Sequence, residues 1–203
     1  MNHIIVEDKL RDTNPVPVVI AFTPNYFIPA STCLYSIFAS LDTEEQMHVI
    51  CLLSEELPDR LKQKIQLIGG ERAQYSFINL QGRLQNIYID AKYTEVASYR
   101  LLLPDLLPEY DKVMYIDCDI IVRNNLVKLY RSVDLGNNYL AAVFEAPMDF
   151  QLGHLKVIGC HPDEYVNSGF LIMNLELMRR DNMVEKFIDA SKADYLEFPD
   201  QDA

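Results

Sequence analysis

Asp117 and Asp119 interrupt an otherwise apolar stretch, Lys112-Val-Met-Tyr-Ile-Asp117-Cys118-Asp119-Ile-Ile-Val. Burying an unpaired carboxylate is expensive, so two of them this close together require solvent or a counter-charge. Residues i and i+2 of an extended segment share a face. On that reading both side chains point at one hard cation bound through oxygen, such as Mn2+ or Mg2+. The other reading is a solvated turn between two strands, where Asp is common, and an isolated DxD pattern does not separate the two.

The charge balance gives a cation further purpose. The 203-residue chain carries a formal net charge of −12, which repels polyanions and leaves DNA or RNA binding without an electrostatic source. A small anionic ligand such as a diphosphate is then expected only where a metal ion sits between it and the carboxylates. Apolar residues make up 49% and charged residues 24% of the chain, which suits one folded domain and excludes wholesale disorder. Cys33, Cys51, Cys118 and Cys160 show no CxxC pair or disulfide framework, which points to a reducing cytosol. The opening residues lack the basic and apolar regions of a signal peptide. No apolar run reaches about 18 residues, so no membrane span is expected.

The elements that must position Asp117 and Asp119 follow from hydrophobic spacing. Residues 1–15 read as a polar leader and 16–203 as the domain. The apolar run 18–22 predicts a strand buried on both faces, ending at Thr23-Pro24-Asn25. Cys33, Leu34, Ile37, Phe38 and Leu41 then recur at helical spacing behind Pro29. Residues 48–53 predict a second strand, and Leu57, Leu61, Ile65 and Ile68 a helix that Gly69-Gly70 terminates. Strands are expected at 75–80, 112–116, 120–122, 139–145 and 169–174, with helices at 93–107 and 177–195. Pro147, Gly153 and Gly159 suggest a mobile loop or lid. This alternation predicts an α/β fold with a mostly parallel mixed sheet flanked by helices. Ligands in such sheets bind beyond the carboxyl ends of the strands, here Thr23 to Tyr26, Asp117 to Asp119 and the surroundings of Glu145.

Four further stretches accompany the DxD pair. Upstream lie Ser98-Tyr99-Arg100-Leu-Leu-Leu-Pro104 and Leu107-Pro108-Glu-Tyr-Asp-Lys-Val; downstream lie Tyr165-Val-Asn167-Ser168-Gly169-Phe-Leu-Ile-Met-Asn174-Leu and Asp200-Gln201-Asp202. In this order the sequence resembles the family 8 retaining glycosyltransferases, which include bacterial galactosyl- and glucosyltransferases of lipopolysaccharide and other cell-surface glycans, and the glycogenin group. The resemblance implies a single GT-A (Rossmann-like) domain that moves a hexose from a UDP-sugar to a saccharide or glycolipid acceptor with Mn2+ or Mg2+ as cofactor. It implies that Asp117 and Asp119 hold the metal, that Arg100 meets the nucleotide or diphosphate, and that the Cys118 backbone neighbours the ribose. Asn167, Asp200 and Gln201 would hold the donor sugar, with Gln201 on the face where the new bond forms. Ser168 and Glu145 would lie near the sugar and acceptor.

Each position also has a plainer reading. Arg100 suits a surface ion pair, Asn167 a turn before Gly169, Asp200-Gln201-Asp202 a polar chain end, and Glu145 a helix cap. Thr23-Pro24-Asn25-Tyr26 departs from the family, which usually has an Asp-Asp-Asn-Tyr type run there. Asn25 and Tyr26 are kept, while the acidic residue that normally reads the nucleobase is replaced. Thr23 and the Phe22 backbone are left to serve the base, and Tyr26 either stacks on it or sits in the core. The family's third metal ligand, a His downstream of DQD, has no counterpart through Ala203, so the C-terminal part is expected to be lacking and the chain to be nearly inactive in transfer. The resemblance allows peripheral contact with the inner face of the membrane through such a region. A nucleotidyltransferase is disfavoured, because no Gly-rich loop with a Lys follows the first strand. A binding module without turnover stays open beside the enzyme.

Overall fold

In the computed structural model, residues 14–84, 95–146, 149, 151–193 and 195–202 are described. The leader up to residue 13, Pro147 and part of the helix expected at 93–107 lie outside them. The chain begins with β1 (Val16–Phe22), α1 (Phe27–Ala39), β2 (Met47–Leu53), α2 (Asp59–Gln66) and β3 (Ala73–Asn79). A 3-10 segment (Glu95–Leu102) runs into α3 (Leu103–Leu106), followed by β4 (Lys112–Asp117), α4 (Leu126–Ser132) and β5 (Leu140–Phe144). The remainder is α5 (Leu152–Ile158), β6 (Val166–Asn174), α6 (Leu175–Arg180), α7 (Met183–Ala190) and α8 (Pro199–Asp202).

The strands form one six-stranded sheet in the order β3-β2-β1-β4-β6-β5. β1 pairs in parallel with β2 and β4, and β2 with β3, while β6 is antiparallel to both β4 and β5. The predicted mostly parallel mixed sheet is what forms. All of β1 is buried, as a continuous apolar run between two covered faces requires. Alternation along it feeds two cores: Val18, Ile20 and Phe22 meet α1, whereas Val19 and Ala21 meet Tyr99, Leu103 and α6. The strand order reverses between β1 and β4, which is where open α/β sheets leave a crevice at their carboxyl ends.

Three expectations are corrected. Residues 120–122 form no strand, because β4 stops at Asp117 and Cys118-Asp119 turn the chain away. The helix expected over 177–195 divides into α6 and α7 at Asp181 and Asn182, with Asn182 left-handed at φ 53°, a conformation Asn tolerates better than most residues. The expected loop after Pro147 contains α5, which Gly159 ends at φ 73°, as a left-handed helix stop does. β5 is also less buried than its composition suggests: it is an edge strand with Val143 60% and Phe144 69% exposed. No helix among the described residues is long and apolar enough to cross a membrane.

Ile20 is fully buried at the centre of β1. Replacing it with Ala is expected to cost about 2–5 kcal/mol through lost transfer energy and a residual cavity, read as a lower urea midpoint at unchanged m-value. An unshifted midpoint would contradict this packing.

Candidate functional site

Register brings the candidate residues together. Ala21 of β1 pairs with Asp117 of β4, so Phe22, the last residue of β1, and Thr23 beyond it reach the same cavity as Cys118 and Asp119. Ile116 pairs with Phe170 of the antiparallel β6, which sets Gly169, Ser168 and Asn167 on the far side of Asp117. The β5/β6 ladder shifts register between Ala142, which faces Leu171, and Val143, which faces Asn167. Ser168, Gly169 and Phe170 therefore lack β5 partners, and their backbone groups must be satisfied elsewhere. Ser168 N–H donates to Gln201 Oε1 at 3.0 Å, and Ser168 C=O accepts from Arg100. The irregularity turns sheet hydrogen-bonding capacity toward a cavity of about 440 Å³ at the sheet's carboxyl edge.

Arg100 is the buried centre of this region, only 4% exposed. Its Nε donates to Ala97 O at 2.8 Å and its Nη2 to Asp117 Oδ1 at 2.8 Å, with Asp200 Oδ2 3.3 Å from Nη2. The guanidinium also lies 4.3 Å from the Tyr115 ring centroid. Burial works against its charge, but Tyr115, Asp200 and Asp117 outweigh that and raise its pKa above the ordinary value. The surface ion pair is thereby excluded: this is a desolvated, forked cation joining β4, β6 and α8.

Asp117 ends β4 and Asp119 lies in the turn beyond it. They reach one cavity because the strand stops, and not through the i, i+2 alternation of an extended segment. Tyr115 hydroxyl donates to Asp117 Oδ1 at 3.2 Å. Gly169 is held to its identity from the other side, since a Cβ there would fall 2.6 Å from Asp117 Oδ2. Cys118 is buried between the two carboxylates. Cys33 offers its S–H to the Asp117 carbonyl at 3.7 Å, and burial, then nearby Cys118 and the acidic pair, pushes the Cys33 thiol up to about 12.

The DQD segment forms α8 and divides its labour. Asp200 and Gln201 line the cavity, with Asp200 Oδ2 accepting from Ser168 Oγ at 2.9 Å. Asp202 faces away and accepts from His154 and Tyr165. Asn167 lines the cavity and donates through Nδ2 to Glu145 Oε2 at 2.7 Å, while Glu145 itself lies outside the wall. Thr23 and Tyr26 line the opposite side, and Tyr26 is 49% exposed, which removes its core reading. Phe22 contributes to the wall from within the core, whereas Asn25 is exposed and does not line the cavity. Sequence reasoning missed Ala21, Val96, Ala97, Tyr115, Gly169 and Phe198 as wall residues. Tyr115 had a detectable signal, since it lies two residues before Asp117 on the same strand; Ala97 and Phe198 had none.

A cleft at the strand-order reversal of a mixed α/β sheet, walled by paired acids and one buried Arg, defines a ligand-binding α/β domain. Residues 17–203 match the family described as Glycosyl transferase family 8, and the chain belongs to that family. Its fold is GT-A. General stress protein A of Bacillus subtilis (strain 168) is 25% identical over 201 residues, covering 96% of this chain and 69% of that protein. A putative glycosyltransferase of Haemophilus influenzae is 30% identical over 122 residues, 58% of this chain and 37% of its own length. Among solved structures, the galactosyltransferase LgtC in complex with donor and acceptor sugar analogues has a TM-score of 0.76 at 26% identity, over 92% of this chain and 68% of that one. The apo bifunctional glycosyltransferase WbbM has a TM-score of 0.76 at 24% identity, covering 94% of this chain and 37% of that chain, and shows the fold alone.

Replacing Arg100 with Met leaves Asp117 and Asp200 facing each other without their shared cation, and is expected to destabilise the fold by on the order of 3 kcal/mol. Arg100→Lys recovers only part of that, because an ammonium cannot reproduce the fork. Urea unfolding checks the order wild type, Lys, Met; equal midpoints would contradict it.

Proposed function

We propose that this domain is the donor-binding part of an enzyme that transfers a hexose, glucose or galactose, from a UDP-sugar to a saccharide or glycolipid hydroxyl with retention, dependent on Mn2+ or Mg2+. One observation carries the reading. Asp117 and Asp119 line the same cavity; Asp117 is ion-paired with Arg100 through Oδ1, while Asp117 Oδ2 and the Asp119 carboxylate accept no hydrogen bond among the described residues. The charged wall residues are Asp117, Asp119, Asp200 and Arg100, three anions against one cation, so a diphosphate needs an added positive charge to enter. The donor set fits a hard cation, being made only of carboxylate oxygens. The described residues contain no cluster of three or more His, Cys, Asp and Glu that could hold a metal. Asp117 and Asp119 would thus be the described protein's ligands, which suits an ion that keeps water or substrate phosphates in its shell.

The chemistry such an ion supplies when bound is Lewis-acid neutralisation of charge developing on the leaving diphosphate, worth several kcal/mol. Arg100 holds Asp117 in place through Oδ1, leaving Oδ2 for ligation. Thr23 and the Phe22 backbone bound the base end, where Tyr26 presents a ring for stacking; Asn25 would join them only from outside the wall. The Cys118 backbone borders the ribose. Asn167, Asp200 and Gln201 orient the sugar, assisted by Ser168, while Glu145 reaches the acceptor side through Asn167. Gln201 is a neutral amide fixed by Ser168 N–H, and Asp200 is tied to Arg100 and Ser168. We therefore favour same-face attack through an oxocarbenium-like state over a double displacement with a carboxylate nucleophile. Free thiols at all four cysteines agree with placement in the cytoplasm, with peripheral contact at the inner membrane face where the acceptor is a glycolipid.

Titration calorimetry with UDP-glucose and UDP-galactose should show binding that requires Mn2+ and is abolished by Asp119→Ala. Preference for a nucleoside triphosphate, or absence of nucleotide binding, would contradict the proposal. Gly169→Ala should weaken Mn2+-dependent UDP binding by about 10-fold or more through displacement of Asp117, with an unchanged far-UV circular dichroism spectrum. Unchanged affinity would remove the role assigned to the missing Cβ.

A further inference from the structure

We propose that Asp202, His154 and Tyr165 form a positioning latch that fixes Asp200 and Gln201 against the donor sugar without touching the donor themselves. The proposal rests on the reading of Asp200 and Gln201 as residues of the sugar end. Asp202 is a carboxylate with a side-chain exposure of 0% and lies outside the cavity wall that its two predecessors line. A buried charge of this kind persists only when its oxygens are satisfied. Oδ2 accepts from His154 Nε2 at 2.8 Å and from the backbone N–H groups of Glu197 and Phe198 at 3.0 and 2.9 Å, and Oδ1 accepts from the Tyr165 hydroxyl at 2.7 Å.

The latch has a defined task because α8 spans only Pro199–Asp202. One helical turn does not hold its own shape, since helix nucleation is unfavourable. Its orientation must come from tertiary contacts. Asp202 closes the segment back onto Glu197 and Phe198, and His154 ties it to α5, where that side chain is only 5% exposed. Tyr165, 3% exposed just before β6, ties it to the strand that carries Asn167 and Ser168. Through Asp202, the ties to α5 and to the start of β6 bear on its chain neighbour Gln201, whose Oε1 accepts from Ser168 N–H. None of these contacts reaches Thr23, Tyr26, Asp117 or Asp119. Asp200 also reaches Asp117 through Arg100, so loosening the latch should disturb recognition of the sugar more than that of the nucleotide.

This separation supplies the test. Affinities for UDP and for UDP-glucose or UDP-galactose are measured with Mn2+ in wild type, Tyr165→Phe, His154→Leu and His154→Gln, the last keeping an N–H donor within reach of Asp202. In Tyr165→Phe and His154→Leu the ratio of the UDP-sugar to the UDP dissociation constant is expected to rise about 10-fold, in the range seen when supporting hydrogen bonds are removed. UDP affinity itself should fall much less than that for the UDP-sugar, and His154→Gln should restore the ratio. Equal weakening of both ligands would reduce the cluster to a general structural role and overturn the proposal, as would an unchanged ratio. Should wild type bind neither ligand, the functional reading fails separately. Amide exchange of α8 then judges the latch: faster exchange at Gln201 and Asp202 in the two disrupting variants supports it, and unchanged exchange overturns it.

Discussion

The Arg100 guanidinium, buried at the end of the sheet, must be neutralised where water cannot do it. Asp117 of β4 and Asp200 of α8 supply the charge, the Ser168 and Ala97 carbonyls take further N–H groups, and the Tyr115 ring lies against its plane. A desolvated cation with this many donors tolerates few arrangements. It therefore joins three parts of the chain that sequence distance keeps apart. The bulge that withdraws Ser168 to Phe170 from β5 belongs to the same arrangement, since it releases the Ser168 backbone for Arg100 and Gln201.

The site consequently holds its acids in different states. Asp117 spends Oδ1 on Arg100 and Tyr115 and keeps Oδ2 beside Gly169; Asp119 projects from the turn; Asp200 is drawn inward; Asp202 is buried and turned away. Chemically identical side chains gain distinct roles from burial and hydrogen bonding alone. Excess negative charge remains at the cavity mouth, and under the proposed function that excess is what a divalent cation would offset when a diphosphate enters.

Much of this was legible in the sequence, for identifiable reasons. Continuous apolar runs gave away β1, β2 and β4, because strands covered on both faces have no polar side to disguise them. Thr23, Tyr26, Arg100, Asp117, Asp119, Asn167, Ser168, Asp200 and Gln201 were all singled out and all line one cavity. What escaped depends on tertiary context. Periodicity could not show that the chain stays out of the sheet after β4, since Ile120 to Val122 carry the apolar signature of a further strand. Nor could it separate a buried Arg100 from a surface one, or reveal that the last acid of Asp200-Gln201-Asp202 faces the protein. The break at Asp181 and Asn182 was in principle readable from turn chemistry, and α5 from Leu152, Leu155 and the stop at Gly159.

The central claim is that Asp117 and Asp119 converge on a cation that receives a diphosphate. Its most direct test is a crystal of the protein grown with a UDP-sugar and Mn2+, with diffraction recorded at the manganese edge. The account predicts one anomalous peak between the two carboxylates and phosphate density touching it. Ordered nucleotide with no anomalous scatterer at that place, its phosphates held by Arg100 alone, would contradict it.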